Sequence, residues 1–119
     1  MSMIDTPDIT VIEHYLDLAA TRQALISSNI ANIDTPGYKT VDIDFDREMS
    51  RAMIDPAGET TPMVEQVQGL IERPDGNNVN VDRESLLLSQ TQMQFTAAIQ
   101  LMRAEFRNIT DAISGGAGS

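Results

Sequence analysis

Cysteine is absent from the 119 residues, and with it go disulfides, thiolate catalysis and thiolate-bound zinc. Tryptophan is absent too, and aromatics make up only 4%, so whatever core forms is thin. Basic residues are scarce: eight Lys and Arg stand against eighteen Asp and Glu, a net charge of −10. That balance argues against nucleic acid or an anionic membrane as partner. No apolar run approaches the roughly 20 residues that a membrane-spanning helix needs, so no membrane insertion is expected. The start, Met1-Ser-Met-Ile-Asp-Thr-Pro-Asp8, lacks the basic and apolar regions of a cleavable signal peptide.

The shortages also weaken the usual catalytic and cofactor readings. His14, beside Glu13, is the single histidine, so a serine triad has only one candidate base; a surface or interface role is the simpler reading. Asp42-Ile-Asp44-Phe-Asp46 has the one-three-five carboxylates of a calcium loop. Arg47 stands where that loop needs glycine, however, and Met53 where it needs a bidentate glutamate. A solvated strand face explains the three aspartates better. Asn108-Ile-Thr110 fits a glycosylation sequon but lies in a helical pattern. No catalytic residue, metal site or cofactor is expected.

What the chain does have is 41% hydrophobic residues, arranged mostly at helical spacing, with seven methionines suited to adaptable packing. Thr6-Pro7-Asp8 reads as a helix start, with Thr6 or Asp8 as cap. From there Ile9, Ile12, Leu16, Ala19, Gln23, Ile26, Ile30 and Ile33 recur at steps of three and four, predicting a helix over 8–33. Val11, Tyr15, Leu18 and Leu25 form a second, partial stripe beside this seam. A single partner helix would not cover both.

The pattern breaks at Ser28-Asn-Ile-Ala-Asn-Ile-Asp-Thr-Pro-Gly-Tyr-Lys39. Pro36 disfavours helix at Thr35, and Pro36-Gly37 suits the central pair of a type II turn. Asp34 and Thr35 carry short side chains able to satisfy the bend, and Asn29 and Asn32 lie one helical step apart before it. Residues 34–81 then read as turn and extended middle. Val41, Ile43 and Phe45 alternate with polar neighbours as a short strand, and 46–53 suits a short helical turn ended by Asp55-Pro56-Ala57-Gly58. Residues 55–78, with three prolines and three glycines, read as partly disordered, with one marginal strand from Val64, Val67, Leu70 and Ile71.

Asp75-Gly76-Asn77-Asn78 is a turn, and Asp82 is the expected N-cap of a helix over 82–114, with Glu84 in its positive first turn. Leu88, Gln92, Phe95, Ile99, Met102, Phe106, Ile109 and Ile113 form its seam, and Gly115-Gly116-Ala117-Gly118 reads as a flexible tail. The expected fold is mainly α. Two long terminal helices pack as a coiled-coil-like pair, parallel or antiparallel, within one domain spanning 1–119. Leu87, Ala98 and Leu101, beside the second seam, are left for other partners. Surplus apolar helix surface on a small acidic chain suits an assembly subunit.

The run Asn29-Ile-Ala-Asn-Ile-Asp-Thr-Pro-Gly-Tyr-Lys39 resembles the N-terminal signature of the bacterial flagellar rod and hook axial proteins, in its proximal-rod form. Asp75-Gly-Asn-Asn-Val-Asn-Val-Asp-Arg-Glu84 is similar to the stretch that opens the C-terminal helix in that family. With the flanking helices, the resemblance covers roughly residues 12–54 and 75–113 and leaves out Asp55–Pro74. It implies a structural subunit of the basal-body rod, lying in the periplasm and exported through the flagellar channel without a cleaved signal. It implies as partners other rod proteins, the MS ring with its export-gate adaptor, and a rod-cap muramidase. On this reading Asn29, Asn32, Asp34, Thr35, Pro36, Gly37 and Tyr38 form the signature turn. Ile12, Leu16, Ile26, Ile30, Leu88, Phe95, Ile99, Met102, Phe106 and Ile109 pack against neighbouring subunits. The residues alone also admit a cytoplasmic acidic helical adaptor or export chaperone.

Overall fold

The computed structural model describes residues 7–58 and 61–118. In chain order it contains α1 (Pro7–Ala31), β1 (Val41–Ile43), α2 (Phe45–Ile54), β2 (Val64–Gln66) and α3 (Val81–Gly118). The fold is mainly α, with a long helix near each end. The proposed cap Thr6 and the polar pair Glu59 and Thr60 lie outside the described residues.

α1 opens on Pro7, whose missing N–H would have had no partner in the first turn. It ends two residues before the expected Ile33, because Asn32 folds back on the last turn: its backbone N–H and its Nδ2 both donate to Ser28 O, at 3.1 and 2.8 Å. α2 exceeds the expected 46–53 by one residue at each end. Asp44 caps it by accepting from Arg47 N at 3.1 Å. Phe45 therefore leaves the strand pattern for the helix, and its ring meets Tyr15 edge-on at 5.0 Å. The expected cap of α3, Asp82, is displaced by Asn80, whose Oδ1 accepts from Arg83 N at 3.0 Å. Asp82 and Glu84 then occupy the first turn, where the helix dipole favours carboxylates.

α1 and α3 run antiparallel. Asn29, near the end of α1, bonds Glu84 at the start of α3, while Val11 and Ile12 line one small cavity with Ala98 and Leu101. The core lies along this seam and beneath α2: Ile9, Leu18, Ala19, Ile26, Ile43, Val79 and Ala98 are buried. α1 buries two faces, as its double stripe requires: Leu18 is buried and Tyr15 meets Phe45 of α2, beside the seam toward α3. No helix among the described residues is long and apolar enough to cross a membrane.

Residues 61–78 are extended, as expected, but not loose. β2 pairs antiparallel with β1 in the register Val41↔Gln66, Asp42↔Glu65, Ile43↔Val64, and Val67 N continues the ladder to Thr40 O at 2.9 Å. Backbone pairing supplies the order that the weak apolar pattern does not.

The face that α3 presents to α1 differs from the one its sequence pattern suggests. The centre is Glu84, Thr91 and Ala98, all buried, with Leu88, Phe95 and Met102 half-buried alongside. Ala98, expected to be left for partners, is thus part of the intramolecular core; its small side chain lets α1 approach closely. Ile99 and Phe106 are turned outward, 41% and 39% exposed. Eight residues advance a helix by about 80° beyond whole turns, so the 91/98 row and the 99/106 row cannot both face one partner. The glycine-rich end is helical through Gly118 rather than a non-helical tail. Glycine disfavours helix by only about 1 kcal/mol per residue, which does not prevent the hydrogen-bond ladder from continuing.

At 1.5 Å per residue α3 is about 57 Å long and α1 about 37 Å. The molecule measures 71 × 26 × 18 Å, and the last turns of α3 project past the start of α1. Ile26→Ala, which empties a side chain that is 1% exposed, should lower stability by about 2–5 kcal/mol in urea denaturation. Ile54→Ala, at a position 84% exposed, should change it by less than about 0.5 kcal/mol.

Candidate functional site

The chain's least exposed cluster is polar, and it forms where the turn after α1 meets the loop before α3. Thr35-Pro36-Gly37-Tyr38 is the expected type II turn: Tyr38 N donates to Thr35 O at 3.2 Å, and Gly37 has φ +75°, a conformation in which side-chain-bearing residues are strained. A second glycine with positive φ, Gly76 at +86°, sits against it. A Cβ on Gly76 would lie 3.4 Å from Gly37 Cα. The two turns are held together by Gly37 N donating to Asp75 O at 2.9 Å.

Asn29 and Asn77 serve as the two connectors. Asn29, 1% exposed, uses its whole amide: Nδ2 donates to Val41 O at 2.9 Å and to Glu84 Oε2 at 3.1 Å, while Oδ1 accepts from Tyr38 Oη at 2.8 Å and from Val41 N at 3.2 Å. It thereby stands in for a neighbouring strand along β1. Asn77, fully buried, donates to the carbonyls of Asn32 and Thr35, both at 2.9 Å, and accepts from Val79 N at 2.8 Å. These carbonyls belong to the turn that follows α1, so a side chain some forty-five residues away ties that turn to the loop before α3. Asn78 Oδ1 accepts from Thr40 N at 2.7 Å. Arg73 donates to Ile33 O and to Val79 O, and Lys39 to Gly76 O and Glu72.

Beside the amides runs a charged chain. Arg22 of α1 grips Asp42 of β1 with two nitrogens, at 3.2 and 3.1 Å, and Arg83 of α3 reaches the same carboxylate at 3.1 Å. Arg83 also donates to Glu84 Oε1 at 2.6 Å. Two cations and two carboxylates cancel, which makes it tolerable for Glu84 to be fully buried. Asp42, expected on a solvated strand face, is therefore buried, because arginines from both long helices converge on it. Asp44 caps α2 and Asp46 lies in that helix, so the three aspartates share no site. Among the described residues no group of His, Cys, Asp and Glu is placed to hold a metal ion.

Of the signature residues, Asn29, Asn32, Thr35, Gly37 and Tyr38 enter this network; Asp34 and Pro36 are exposed, Pro36 acting through its fixed φ. Of the seam residues, Ile26 is buried and Ile12, Leu16, Ile30, Leu88, Phe95, Met102 and Ile109 are half-buried, while Ile99 and Phe106 are exposed. Arg22, Thr40, Asp42, Arg83 and the buried role of Glu84 were not legible beforehand. The one local signal was the second polar motif, Asp75 to Glu84, whose asparagines exceed what a single turn needs.

The arrangement fixes four chain segments relative to one another. Asn29→Ala should cost about 2–4 kcal/mol, because it leaves Glu84 and the Val41 backbone short of partners in a dry site. Asn32→Ala, at a more exposed position, should cost about 1 kcal/mol. Gly37→Val should cost about 1–3 kcal/mol from backbone strain, and Thr35→Ser far less. Chemical denaturation of the four variants checks this ordering.

A family model described as flagella basal body rod protein matches residues 16–39, the second half of α1 and the whole turn. Among curated proteins, the chain is 31% identical over 118 residues to the flagellar basal body rod protein FlgB of Bacillus subtilis, covering 88% of this chain and 92% of that one. It is 30% identical over 122 residues to the FlgB of Escherichia coli, covering 85% and 88%. The FlgB of Salmonella typhimurium is 28% identical over the same length, with the same coverage. With the signature turn built as described and relatives matched over most of both lengths, the chain belongs to the FlgB family of flagellar basal body rod proteins.

Proposed function

We propose that this rod protein is a non-enzymatic structural subunit that polymerises through its long helices into the axial drive shaft of the flagellum. Residues 1–119 act as one rod unit. The observation that carries this reading is the unequal length of the two helices. α3 outruns α1, and toward and along its free portion it keeps Leu101, Phe106 and Ile113 exposed, 39–62% by residue. Apolar surface of this kind on an acidic chain is stabilised by burial against other subunits, at about 25 cal/mol per Å². Ile12, Leu16, Ile26, Ile30, Leu88, Phe95, Ile99, Met102, Phe106 and Ile109 supply the packing surface. Some of it is used within the chain, and the outward rows are completed by neighbours. The polar clamp sets the angle and register at which the helices are presented.

Its partners on this reading are other rod proteins, the MS ring with the export-gate adaptor, and a rod-cap muramidase. Its place is the rod within the periplasm, reached by export without a cleaved signal peptide.

The test is incorporation. A tagged chain should co-purify with detergent-extracted basal bodies; recovery only in the cytoplasmic fraction would favour an adaptor or export chaperone instead. Ile99→Asp should leave the far-ultraviolet circular dichroism of the isolated chain nearly unchanged, since the side chain is already part-solvated. It should nevertheless abolish swimming, because the carboxylate is buried without a partner on assembly. Gln68→Asp, an equal change of charge on the exposed middle, should swim normally.

A further inference from the structure

The chain's charge is divided between a saturated body and a free helix end. Each of the six basic residues before position 100 is engaged within the molecule. Arg22 and Arg83 hold Asp42, Lys39 holds Glu72, Arg47 holds Glu65, Arg51 holds Glu48, and Arg73 holds two carbonyls. The two that are left, Arg103 and Arg107, are exposed on the C-terminal half of α3, where it passes the start of α1, and form no ion pair among the described residues. They are four residues apart, hence on one face, and they flank the exposed Ile99 and Phe106. The other charges of this helix end are Glu105, half-buried, and Asp111, exposed one turn beyond Arg107. All of the −10 net charge resides in residues 1–102, since 103–119 hold two arginines and two acids.

A matching pair exists on α1. Glu13 and Asp17 are exposed, four residues apart, and their carboxylates have no cationic partner among the described residues. The exposed Ala20 and Ala24 continue the same row and present little bulk to an approaching helix. Within one molecule the two pairs are exposed and form no ion pair with each other.

We propose that the C-terminal half of α3 docks on the outer face of α1 in a second copy of this chain, with Arg103 and Arg107 paired to Glu13 and Asp17 and with Ile99 and Phe106 covered by the same contact. The contact is heterologous: each copy offers an arginine end and an acidic face, and neither surface is used up by the other. Such contacts propagate into rings or filaments instead of closing as dimers. The equal four-residue spacing allows both ion pairs to form at once. Mixed charge on an otherwise acidic surface also steers the correct end onto the correct face. This inference rests on the rod-assembly reading and deepens it by naming the occupant of the free helix face.

The test uses two variants of the full chain in cells whose own copy is deleted, Arg103→Glu/Arg107→Glu and Glu13→Arg/Asp17→Arg. Circular dichroism of each purified chain should match the parent, since no intramolecular pair is lost. Each variant alone should fall at least ten-fold in recovery from isolated basal bodies, because like charges then meet at every contact. Expressed together, the two should recover to within two-fold of the parent, because an alternating arrangement places opposite charges at every contact. Only pairing between molecules can produce that rescue. Normal incorporation of either variant alone would overturn the proposal while leaving the rod reading intact, and so would failure of the mixture to recover. Absence of the parent chain itself from basal bodies would instead overturn the rod reading.

Discussion

A glutamate carboxylate with no exposure at all, Glu84, is the constraint around which the rest of the molecule is arranged. A buried carboxylate is tolerable only when fixed donors surround it, and here they come from two places: Asn29 on α1 and the adjacent Arg83 on α3. Each donor is held in turn. Asn29 is fixed by β1 and Tyr38, and Arg83 by Asp42, which Arg22 also grips. Satisfying one charge therefore requires α1, the turn, β1 and the start of α3 to be in place together. Partial assembly of these parts leaves a desolvated group unpaired, which is costly, so the region is expected to form as a unit.

The network also settles what apolar packing leaves open. Two helices with heptad-spaced seams can slide by whole repeats with little change in buried area, and either direction of pairing suits the pattern. Hydrogen bonds between named atoms do not tolerate such slippage. Asn29 fixes the end of α1 to the start of α3, and Asn77 ties the turn after α1 to the loop that enters α3. Antiparallel direction and axial register follow from these contacts. The overhang of α3 then follows from the two helix lengths. For a subunit proposed to carry torque, fixing its helices by polar contacts rather than by sliding apolar seams keeps the presented surface constant.

The signature turn is thus mostly an internal device. Its asparagines, its tyrosine and the N–H of its glycine are occupied within the chain, while Asp34, Thr35, Pro36 and Gly37 lie exposed at the bend. On the proposed role, contact with neighbours passes to surfaces outside the motif, above all the outward row of α3. The middle segment, joined to β1 by a short ladder and to α2 by the Arg47–Glu65 ion pair, is ordered without contributing much apolar core.

What the sequence determined by itself was everything governed by local rules. Apolar residues at three and four placed α1 and α3; Pro36-Gly37 made the type II turn; alternation at Val41 and Ile43 made β1. Each follows from backbone sterics and periodicity within about ten residues. Only the tertiary structure decided which polar residues are inside. Asp42 reads as solvent-facing from its own neighbours, because Arg22 and Arg83, twenty and forty-one residues away, are what make its burial tolerable. The same holds for the outward turn of Ile99 and Phe106. A seam read from spacing gives two rows of equal standing, and the side that meets α1 was chosen by Glu84 bonding Asn29, a contact spanning fifty-five residues that no local pattern contains.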